Sequence, residues 1–449
     1  MSYRVSRRLA LVLAAVGALV VSGLPAARAE MAEAAAPALA DASVDRAKLF
    51  EAVVETIDRG FADPELLKTL DWLGRARAVR SSVLAAPTTE DAVARINDLI
   101  AELKTSHTGL YTPDDYRYYI TLDILNGAAA TRDLIFERFW GTGPYFPGIG
   151  VFTADLDGRH FIDGVLEGSP ADKAGLKYGD EILAVDGQPF SPIAAFRGRI
   201  GANAKLMVRR VRDAEPMRFA VPVIPIVPSV AFSDATQASA RVIEKNGRRI
   251  GYVHLWSISE TESLRSALVA LRGRDAAEPD KAGPPLDALV VDIRGRVGGY
   301  AGVAGRMLDM IGTAPRPYWG RLRIIDKVGD RHFVDGLAAR SGSPRLFEGR
   351  SALLIDHQTR SAGEIMAFGY KHSRFGPVFG TTTAGAVSSG APFGMPGGLM
   401  LYVAQNGLEL DGKSLEGVGV EPDYRVERPL AHAHGADPVL EAAVEFLAQ

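Results

Sequence analysis

The chain has 449 residues, a formal net charge of −3 at pH 7 and no cysteine. This length exceeds that of a typical single domain, so more than one domain is expected. The slightly acidic balance argues against a nucleic-acid partner, which would need a basic face. Without cysteine the chain has no disulfide, no thiolate chemistry and no site for a cysteine-linked lipid anchor.

Residues 1–29 have the pattern of a secretory signal peptide. A basic start is followed by an apolar run over residues 9–24 and by an Ala-Arg-Ala cleavage site at 27–29. The run is short for a membrane span. The paired arginines at 7 and 8 suggest the twin-arginine route, but their flanking residues fit it poorly, so ordinary secretion is expected. Cleavage leaves 47 basic and 54 acidic residues, about −7, and predicts a periplasmic or secreted protein without stable membrane insertion.

An alanine-rich stretch, residues 30–43, is predicted to be a flexible linker. From residue 44 to about residue 103 the apolar side chains recur at helical spacing, as Leu49, Val53 and Ile57 do. This spacing predicts an N-terminal helical domain over residues 44–140. The turn-like sequence Ser-His-Thr at 106–108 lies within it.

Residues 141–226 change to short β-like runs separated by turn residues. Within them, residues 168–180 read as a capped short helix and a Gly-Asp turn, followed by a strand and a second turn at Asp186-Gly187. This order resembles a PDZ domain. The resemblance implies that Gly148, Ile149 and Gly150 form the loop whose N–H groups receive the terminal carboxylate of a peptide. A generic small β-domain is the alternative.

Residues 227–430 alternate between strand-like and helix-like segments, which predicts an α/β core with βαβ units. Strands are expected over 288–293, 351–356 and 377–379. Residues 399–404 and 408–410, joined by Asn406-Gly407, read as a hairpin. A C-terminal tail and helix are expected over 431–449.

Ser361 lies where an apolar strand turns sharply into a helix through small residues. A hydroxyl at a helix N-terminus is surrounded by free backbone N–H groups, which favour developing negative charge. That setting suits a nucleophilic serine beside an oxyanion hole. The alternative is structural, because Ser361 followed three residues later by Glu364 also fits a capping box.

Other catalytic patterns are weak or absent. Residues 407–414 satisfy the P-loop expression, but they alternate like a strand, contain Asp411 and are not followed by a helix, so a phosphate site is rejected. No zinc-binding His-Glu-x-x-His and no Gly-x-Ser-x-Gly elbow occurs.

Six segments in one order resemble a single family, the exported serine peptidases that include the tail-specific, C-terminal-processing proteases and the tricorn protease core. The resemblance implies an α/β protease core of the crotonase/ClpP-like ββα type, an N-terminal helical domain and an inserted PDZ-like domain. The segments are the Ser-His-Thr turn at 106–108, the PDZ-like insert, residues 291–299, residues 359–364, residues 380–386 and residues 415–423.

This family has two catalytic arrangements. Processing proteases use a Ser–Lys dyad, but the matching lysine position here is Ala386, and no lysine occurs from residue 377 to 410. Lys371 lies ten residues into the helix from Ser361, about 15 Å along its axis, too far to take its proton. The sequence therefore disfavours the dyad.

The tricorn-like branch uses Ser, His, a second Ser and Glu. The resemblance implies that Ser361 is the nucleophile, His107 its base and later acid, Ser106 the group that orients the imidazole, and Glu416 the group that polarises Ser106. It further implies an oxyanion hole made by the N–H of Ala362 with that of Gly298 or Gly299. Arg296-Val297 departs from the smaller, polar residues usual just before the paired glycines, and this could alter the oxyanion hole or the substrate preference.

The expected function is therefore an exported serine endopeptidase that acts on peptides, unfolded proteins or protein C-terminal regions through an acyl-enzyme. No metal or organic cofactor is implied. Two alternatives remain open: a catalytically silent protein that binds peptides or apolar ligands on the same fold, and a Ser–Lys protease whose lysine comes from elsewhere.

Overall fold

A computed structural model describes residues 44–126, 129–139, 143–272, 284–295, 298–312, 320–325, 331–335 and 343–449. The expected signal peptide at 1–29, the linker up to residue 43 and the pair Arg296-Val297 lie outside the described residues. Within the described part, no helix is both long and apolar enough to cross a bilayer.

The N-terminal region begins with four helices that have well-formed N-termini. The side chains of Asp45, Asp63 and Asp71 accept hydrogen bonds from first-turn amides, and Thr88 forms a capping box with Asp91. Their apolar faces share one buried cluster, as the helical spacing predicts. The region comprises α1 (Arg46–Gly60), α2 (Pro64–Thr69), α3 (Trp72–Leu84), α4 (Thr89–Ala101), β1 (Gly109–Tyr111), α5 (Tyr116–Ile124) and α6 (Ala129–Phe139).

The second region is a small antiparallel β-domain with its own apolar core. Its first and last strands pair with each other, Phe146 opposite Ile226, so the domain is an insert whose entry and exit lie side by side. The elements are β2 (Phe146–Gly148), β3 (Val151–Leu156), β4 (Arg159–Val165), α7 (Pro170–Lys173), β5 (Glu181–Val185), β6 (Gln188–Pro189), β7 (Asn203–Arg209), β8 (Met217–Pro222) and β9 (Ile224–Ile226).

The third region is the predicted α/β core. It comprises α8 (Pro228–Ser239), β10 (Arg241–Lys245), β11 (Arg248–His254), α9 (Glu262–Leu271), β12 (Ala288–Asp292), α10 (Ala301–Ile311), β13 (Gly320–Ile325), β14 (Arg331–Asp335), β15 (Arg350–Ile355), α11 (Ala362–His372), β16 (Val378–Gly380), β17 (Ser389–Gly394), β18 (Met400–Leu410), β19 (Lys413–Ser414), β20 (Tyr424–Arg425) and α12 (Pro438–Leu447).

Two sheets organise the core. The first has the order β10-β11-β12-β15-β16-β20, in which every pair except β10-β11 is parallel. Helices α9, α10 and α11 cover one face of it and α12 covers the other, the usual way to bury a parallel sheet. The second has the order β1-β18-β13-β14, with β17 and β19 also paired to β18. The predicted α/β class, with N-terminal helices and an inserted β-domain, is confirmed.

The second sheet ties the N-terminal region to the core. Strand β1 pairs with β18, Gly109 opposite Tyr402, and the apolar side of β18 lies in the same cluster as α1 to α4. Because β1 begins two residues after His107, this pairing carries the Ser-His-Thr turn to the edge of the core.

The predicted hairpin around Asn406-Gly407 is wrong. Strand β18 runs without interruption through both residues, which pair with β13 on one side, while Asn406 also pairs with Ser389 of β17 on the other. The tight turn comes later, between β18 and β19. There Asp411 and Gly412 have φ values of 51° and 73°, the left-handed conformation that a type I′ turn demands. Pairing on both sides overrode the local turn signal.

A buried ion cluster fixes α12 against the parallel sheet. The guanidinium of Arg294, just beyond β12, binds Asp292 with contacts of 2.6 and 2.9 Å and Asp437 with contacts of 2.7 and 2.8 Å. Asp437 is also the N-cap of α12, accepting from the Leu440 amide at 3.1 Å. Burial opposes ionisation of Asp437, but the charge of Arg294 lowers its pKa.

Replacing Asp437 by alanine is therefore expected to lower the free energy of unfolding by about 2–4 kcal/mol, since it leaves a buried guanidinium half-compensated and removes a helix cap. Urea denaturation followed by circular dichroism measures this. The matched control is Glu445→Ala on the same helix, whose partner Lys245 is exposed. It should change stability by less than about 1 kcal/mol. Equal effects of the two variants would contradict the role given to the cluster.

Candidate active site

Ser361 stands at the junction between strand β15 and helix α11. Its backbone has φ 55° and ψ −123°, a conformation that costs a non-glycine residue of order 1–3 kcal/mol and that is typical of functional turns. Its side chain makes no capping hydrogen bond. The capping-box interpretation of Ser361 and Glu364 is therefore wrong, because a capping box requires the serine hydroxyl to accept an amide of the first helical turn.

Glu364 instead holds a neighbouring loop. Its fully buried carboxylate accepts hydrogen bonds from the Thr383 hydroxyl at 2.6 Å and from the amides of Gly385 and Ala386, each at 2.7 Å. The carbonyl of Ala386 in turn accepts the Ser361 amide at 2.8 Å. Burial raises the pKa of Glu364. The loop over 383–386 is thus fastened to both ends of the first turn of α11.

The paired glycines lie beside Ser361. A Cβ on Gly298 would stand 3.8 Å from that of Ser361, so the two backbones approach closely. Gly299 has φ 147°, and a Cβ there would meet the Ile258 carbonyl oxygen at 2.2 Å, so only glycine fits. The Ile258 amide donates to the Gly298 carbonyl at 2.8 Å. The amide of Ala362, the third predicted oxyanion donor, opens helix α11, where the first amides have no partner within the helix.

Glu416, which lies 310 residues after Ser106 in the sequence, holds the Ser106-His107 turn. One carboxylate oxygen of Glu416 accepts the backbone amide of Ser106 at 2.6 Å. The other accepts the amides of Val387 and Ser388 at 3.0 and 2.9 Å. The contact between Glu416 and Ser106 therefore runs through the backbone, whereas the resemblance implies one through the Ser106 hydroxyl.

The hydroxyl of Ser106 meets the imidazole directly. Its Oγ lies 2.8 Å from Nδ1 of His107. When Nδ1–H donates to this hydroxyl, Nε2 carries the free lone pair. The His107 ring also lies against that of Tyr402, with centroids 5.7 Å apart, and His107 has a left-handed backbone with φ 57°.

The imidazole of His107 is neutral at pH 7. Burial is the main cause that lowers its pKa to about 4, Glu416 acts in the opposite direction, and the positive charge of Arg360 adds to the lowering. No hydrogen bond joins His107 to the Ser361 hydroxyl within the described ranges. A continuous chain of contacts nevertheless connects them, from the Ser361 amide through Ala386, Val387 and Glu416 to Ser106.

Neither position 386 nor Lys371 provides a lysine base for Ser361. Ala386, at the position expected for a dyad lysine, contacts Ser361 through its backbone. Lys371 is engaged at the other end of α11, where its ammonium donates to the Glu421 carbonyl at 2.6 Å and lies 2.9 Å from Asp423.

The predicted peptide-binding loop connects β2 to β3. The carbonyls of Ile149 and Gly150 accept the amides of Ala171 and Leu166, each at 2.9 Å, and the Ile149 side chain is buried in the core of the β-domain. Gly150 has φ 89°, and a Cβ there would overlap Ser169. The loop is therefore packed against the start of α7, and glycine at 150 is required by that contact.

Sequence reasoning missed three side chains near Ser361. Asp356 accepts the amides of Gly295, Gln358 and Thr359 at distances of 2.9 to 3.1 Å, and so organises the turn before Ser361. Glu364 was considered only as a capping partner, and Arg360 not at all. The position of Asp356 directly after a buried strand was the one available signal. No cluster of potential metal ligands occurs in the part of the chain that the structure describes.

Comparison with known families identifies two of the three regions. The profile of peptidase family S41 matches residues 249–426, which contain Ser361, Glu364 and Glu416. A PDZ domain profile matches residues 161–212, within the inserted β-domain.

Individual relatives are distant. Carboxy-terminal processing protease CtpB of Bacillus subtilis is 25% identical over 295 residues, covering 63% of this chain and 56% of CtpB. Tricorn protease homolog 2 of Streptomyces coelicolor is 25% identical over 410 residues, covering 86% of this chain and 31% of that protein. The carboxyl-terminal-processing protease of Picosynechococcus is 25% identical, covering 83% of each chain. The chain thus spans 56% of the first of these relatives and 31% of the second.

A solved structure shares this fold. A crystal structure of a CPAF mutant superposes with a TM-score of 0.50 and 12% identity, covering 89% of this chain and 96% of CPAF. Residues 249–426 thus match peptidase family S41 and residues 161–212 match a PDZ domain, and these matches, with the processing-protease and tricorn relatives, support the resemblance to the tail-specific proteases.

Proposed function

We propose that this chain is an exported serine endopeptidase that cleaves peptides or unfolded proteins through an acyl-enzyme. Ser361 is the nucleophile and His107 its general base, with Ser106 and Glu416 holding the histidine. The observation that carries the proposal is the chain of hydrogen bonds that connects the backbone of Ser361, through Ala386, Val387 and Glu416, to Ser106 and the His107 imidazole.

The chemistry follows from these positions. Nε2 of His107 takes the proton of the Ser361 hydroxyl while Oγ bonds to the substrate carbonyl carbon. The carbonyl oxygen becomes an oxyanion, which the amides of Ala362 and of Gly298 or Gly299 stabilise. His107 then gives its proton to the leaving amine as the C–N bond breaks. A water molecule, deprotonated by His107, releases the acyl group and restores the serine.

The assignment does not require a hydrogen bond between His107 and the Ser361 hydroxyl before substrate binds. Catalytic hydrogen bonds are often long without substrate and shorten only in the reacting complex. The strained backbone of Ser361, its hydroxyl without a capping hydrogen bond, and the lowered pKa of His107 support the same roles.

The PDZ domain is proposed to bind the substrate chain by strand addition, with the loop over 148–150 next to its terminal carboxylate. The basic and apolar pattern of residues 1–29 supports export to the periplasm or the medium. A silent binding protein on this fold is the competing function, and labelling of the nucleophile distinguishes the two.

A fluorophosphonate probe is expected to label the wild-type protein, because an activated serine attacks phosphorus as it attacks a carbonyl. Ser361→Ala should abolish labelling and casein cleavage, and His107→Gln should reduce both by at least about 100-fold, within the range for loss of a general base. Labelling is read by mass spectrometry and in-gel fluorescence.

Ser373→Ala is the matched control, because Ser373 follows the last residue of the same helix. This variant should be fully active. If Ser361→Ala is labelled like the wild type, or the wild type is not labelled at all, the nucleophile assignment is wrong.

The pH dependence of labelling should report the lowered pKa of His107. The base works only when neutral, so the rate should remain constant as the pH falls from 8 to about 5 and decline around pH 4. A solvated histidine would give a decline near 6.5. Second-order rate constants measured between pH 3.5 and 9, with circular dichroism at each pH to exclude unfolding, test this. A decline centred well above pH 7 would instead favour a lysine base.

A further inference from the structure

Two carboxylates of the PDZ domain reach into the protease core. Asp163, on β4, accepts the side-chain amide of Gln358 at 3.0 Å. Glu167, two residues beyond β4, lies 3.0 Å from Nδ1 of His254 with one oxygen and accepts the indole N–H of Trp256 at 2.5 Å with the other. Both carboxylates come from the end of β4 and the turn after it, and all three partners belong to the core.

The contact of Glu167 with His254 is an ionic one. Nε2 of His254 lies 3.1 Å from the Arg294 carbonyl, so both ring nitrogens face acceptors, and only the imidazolium can donate to both. Burial opposes the charge, but Asp292 and Glu167 raise the pKa of His254 to about 9. Glu167 therefore meets a cation, and such charge-assisted bonds are stronger than neutral ones.

The two contacts converge on the turn that presents Ser361. Gln358 is three residues before the serine. His254 holds the carbonyl of Arg294, and the next amide, that of Gly295, donates to Asp356 at 3.1 Å. Asp356 also accepts the amides of Gln358 and Thr359, and the Thr359 hydroxyl donates to the Ile293 carbonyl at 2.9 Å. The contacts of Asp163 and those of Glu167 thus both lead to residues 356–361.

The joint between the PDZ domain and the core combines apolar packing with polar contacts. Trp256 of the core lies against Phe152 of the PDZ domain, with ring centroids 5.9 Å apart. A cavity of about 800 Å³ lies between the PDZ domain and the core, and Asp163, Glu167, His254 and Gln358 are among the residues that line it. At this cavity Asp163 and Glu167 bridge the two surfaces by hydrogen bonds, beside the packing of Trp256.

We propose that Asp163 and Glu167 are positioning residues for the nucleophile: from the PDZ side they hold Gln358 and His254, and through them the turn that presents Ser361. The inference rests on the proposed peptidase function. It assigns no contact with substrate to either carboxylate. Small displacements of a reacting group are sufficient for such an effect, since a shift of about 1 Å can cost about 100-fold in rate.

The test compares variants that differ in how many acceptors they keep. Asp163→Ala removes the acceptor for Gln358, whereas Asp163→Asn retains one oxygen that accepts it. Glu167→Gln retains one acceptor for two donors. We expect Asp163→Ala and Glu167→Gln to lower kcat on casein, and the rate of fluorophosphonate labelling, by about 10- to 100-fold. KM should change less than about twofold, and Asp163→Asn should retain near-wild-type kcat.

Two controls separate positioning from general stability. Asp186→Asn removes a PDZ carboxylate that pairs with Arg199 inside the domain, and should leave kcat unchanged. The double variant Asp163→Ala/Gln358→Ala should be no slower than Asp163→Ala, because the two side chains act as one contact. The inference is overturned if Asp163→Ala and Glu167→Gln keep wild-type kcat, if Asp163→Asn is as slow as Asp163→Ala, or if kcat falls only in proportion to the folded fraction.

Hydrogen exchange gives a readout that does not require activity. The amides of Gly295, Gln358 and Thr359, which donate to Asp356, should exchange faster in Asp163→Ala and Glu167→Gln than in the wild type, and at the wild-type rate in Asp186→Asn. If the wild type neither cleaves casein nor reacts with the probe, the proposed function fails, while the exchange data still show whether Asp163 and Glu167 hold the turn. Unchanged exchange in both variants would refute the inference that these carboxylates position the turn.

Discussion

The site depends on one partly buried carboxylate that joins three pieces of chain. Glu416 accepts the amide of Ser106, 310 residues away in sequence, together with the amides of Val387 and Ser388. Three backbone donors satisfy both of its oxygens, which makes a partly buried charge tolerable. The carbonyl of Ala386, next to Val387, accepts the Ser361 amide. The histidine turn and the serine turn are therefore bound to the same segment, residues 386–388.

The two core sheets explain why these segments meet. In the parallel sheet, β12 and β15 end side by side, Asp292 opposite Leu354, and the segments that follow them carry Gly298 and Ser361. Sites in open α/β sheets usually lie at this carboxyl edge. The antiparallel sheet delivers the other half, since β1 follows His107 and pairs with β18, whose hairpin leads to Glu416. The proposed mechanism therefore requires both sheets.

The choice between a histidine and a lysine base rests on local features. The position where the processing proteases are expected to carry lysine is Ala386, and its backbone is engaged by Ser361 and Glu364. Lys371 is bound to the Glu421 carbonyl. The imidazole of His107, in contrast, is neutral and oriented by Ser106. Relatives of both branches resemble this chain at similar identity, so the residues themselves, and not overall similarity, support the histidine.

Much of the architecture followed from pattern alone. Helical spacing predicted α1 to α4, whose caps and apolar faces are local features, and alternating segments predicted the parallel sheet. The Gly-Asp and Asp-Gly turns indicated the PDZ domain because each turn demands a particular backbone conformation. The strand-to-helix turn at Ser361 could also be predicted, because small residues mark a sharp turn of the backbone. In contrast, Asn406-Gly407 misled, because pairing with β13 and β17 outweighed its turn preference.

The sequence by itself determined which residue types could form a serine-histidine site and where a lysine was missing. The tertiary structure alone decided how they are held. In the folded protein Glu364 binds the 383–386 loop instead of capping a helix. Glu416 accepts the backbone amide of Ser106. Asp163 and Glu167 of the PDZ domain contact Gln358 and His254 of the core. These contacts join residues far apart in sequence through hydrogen bonds to backbone or to single side chains. Such bonds leave no periodic pattern, because almost any residue can supply a backbone amide.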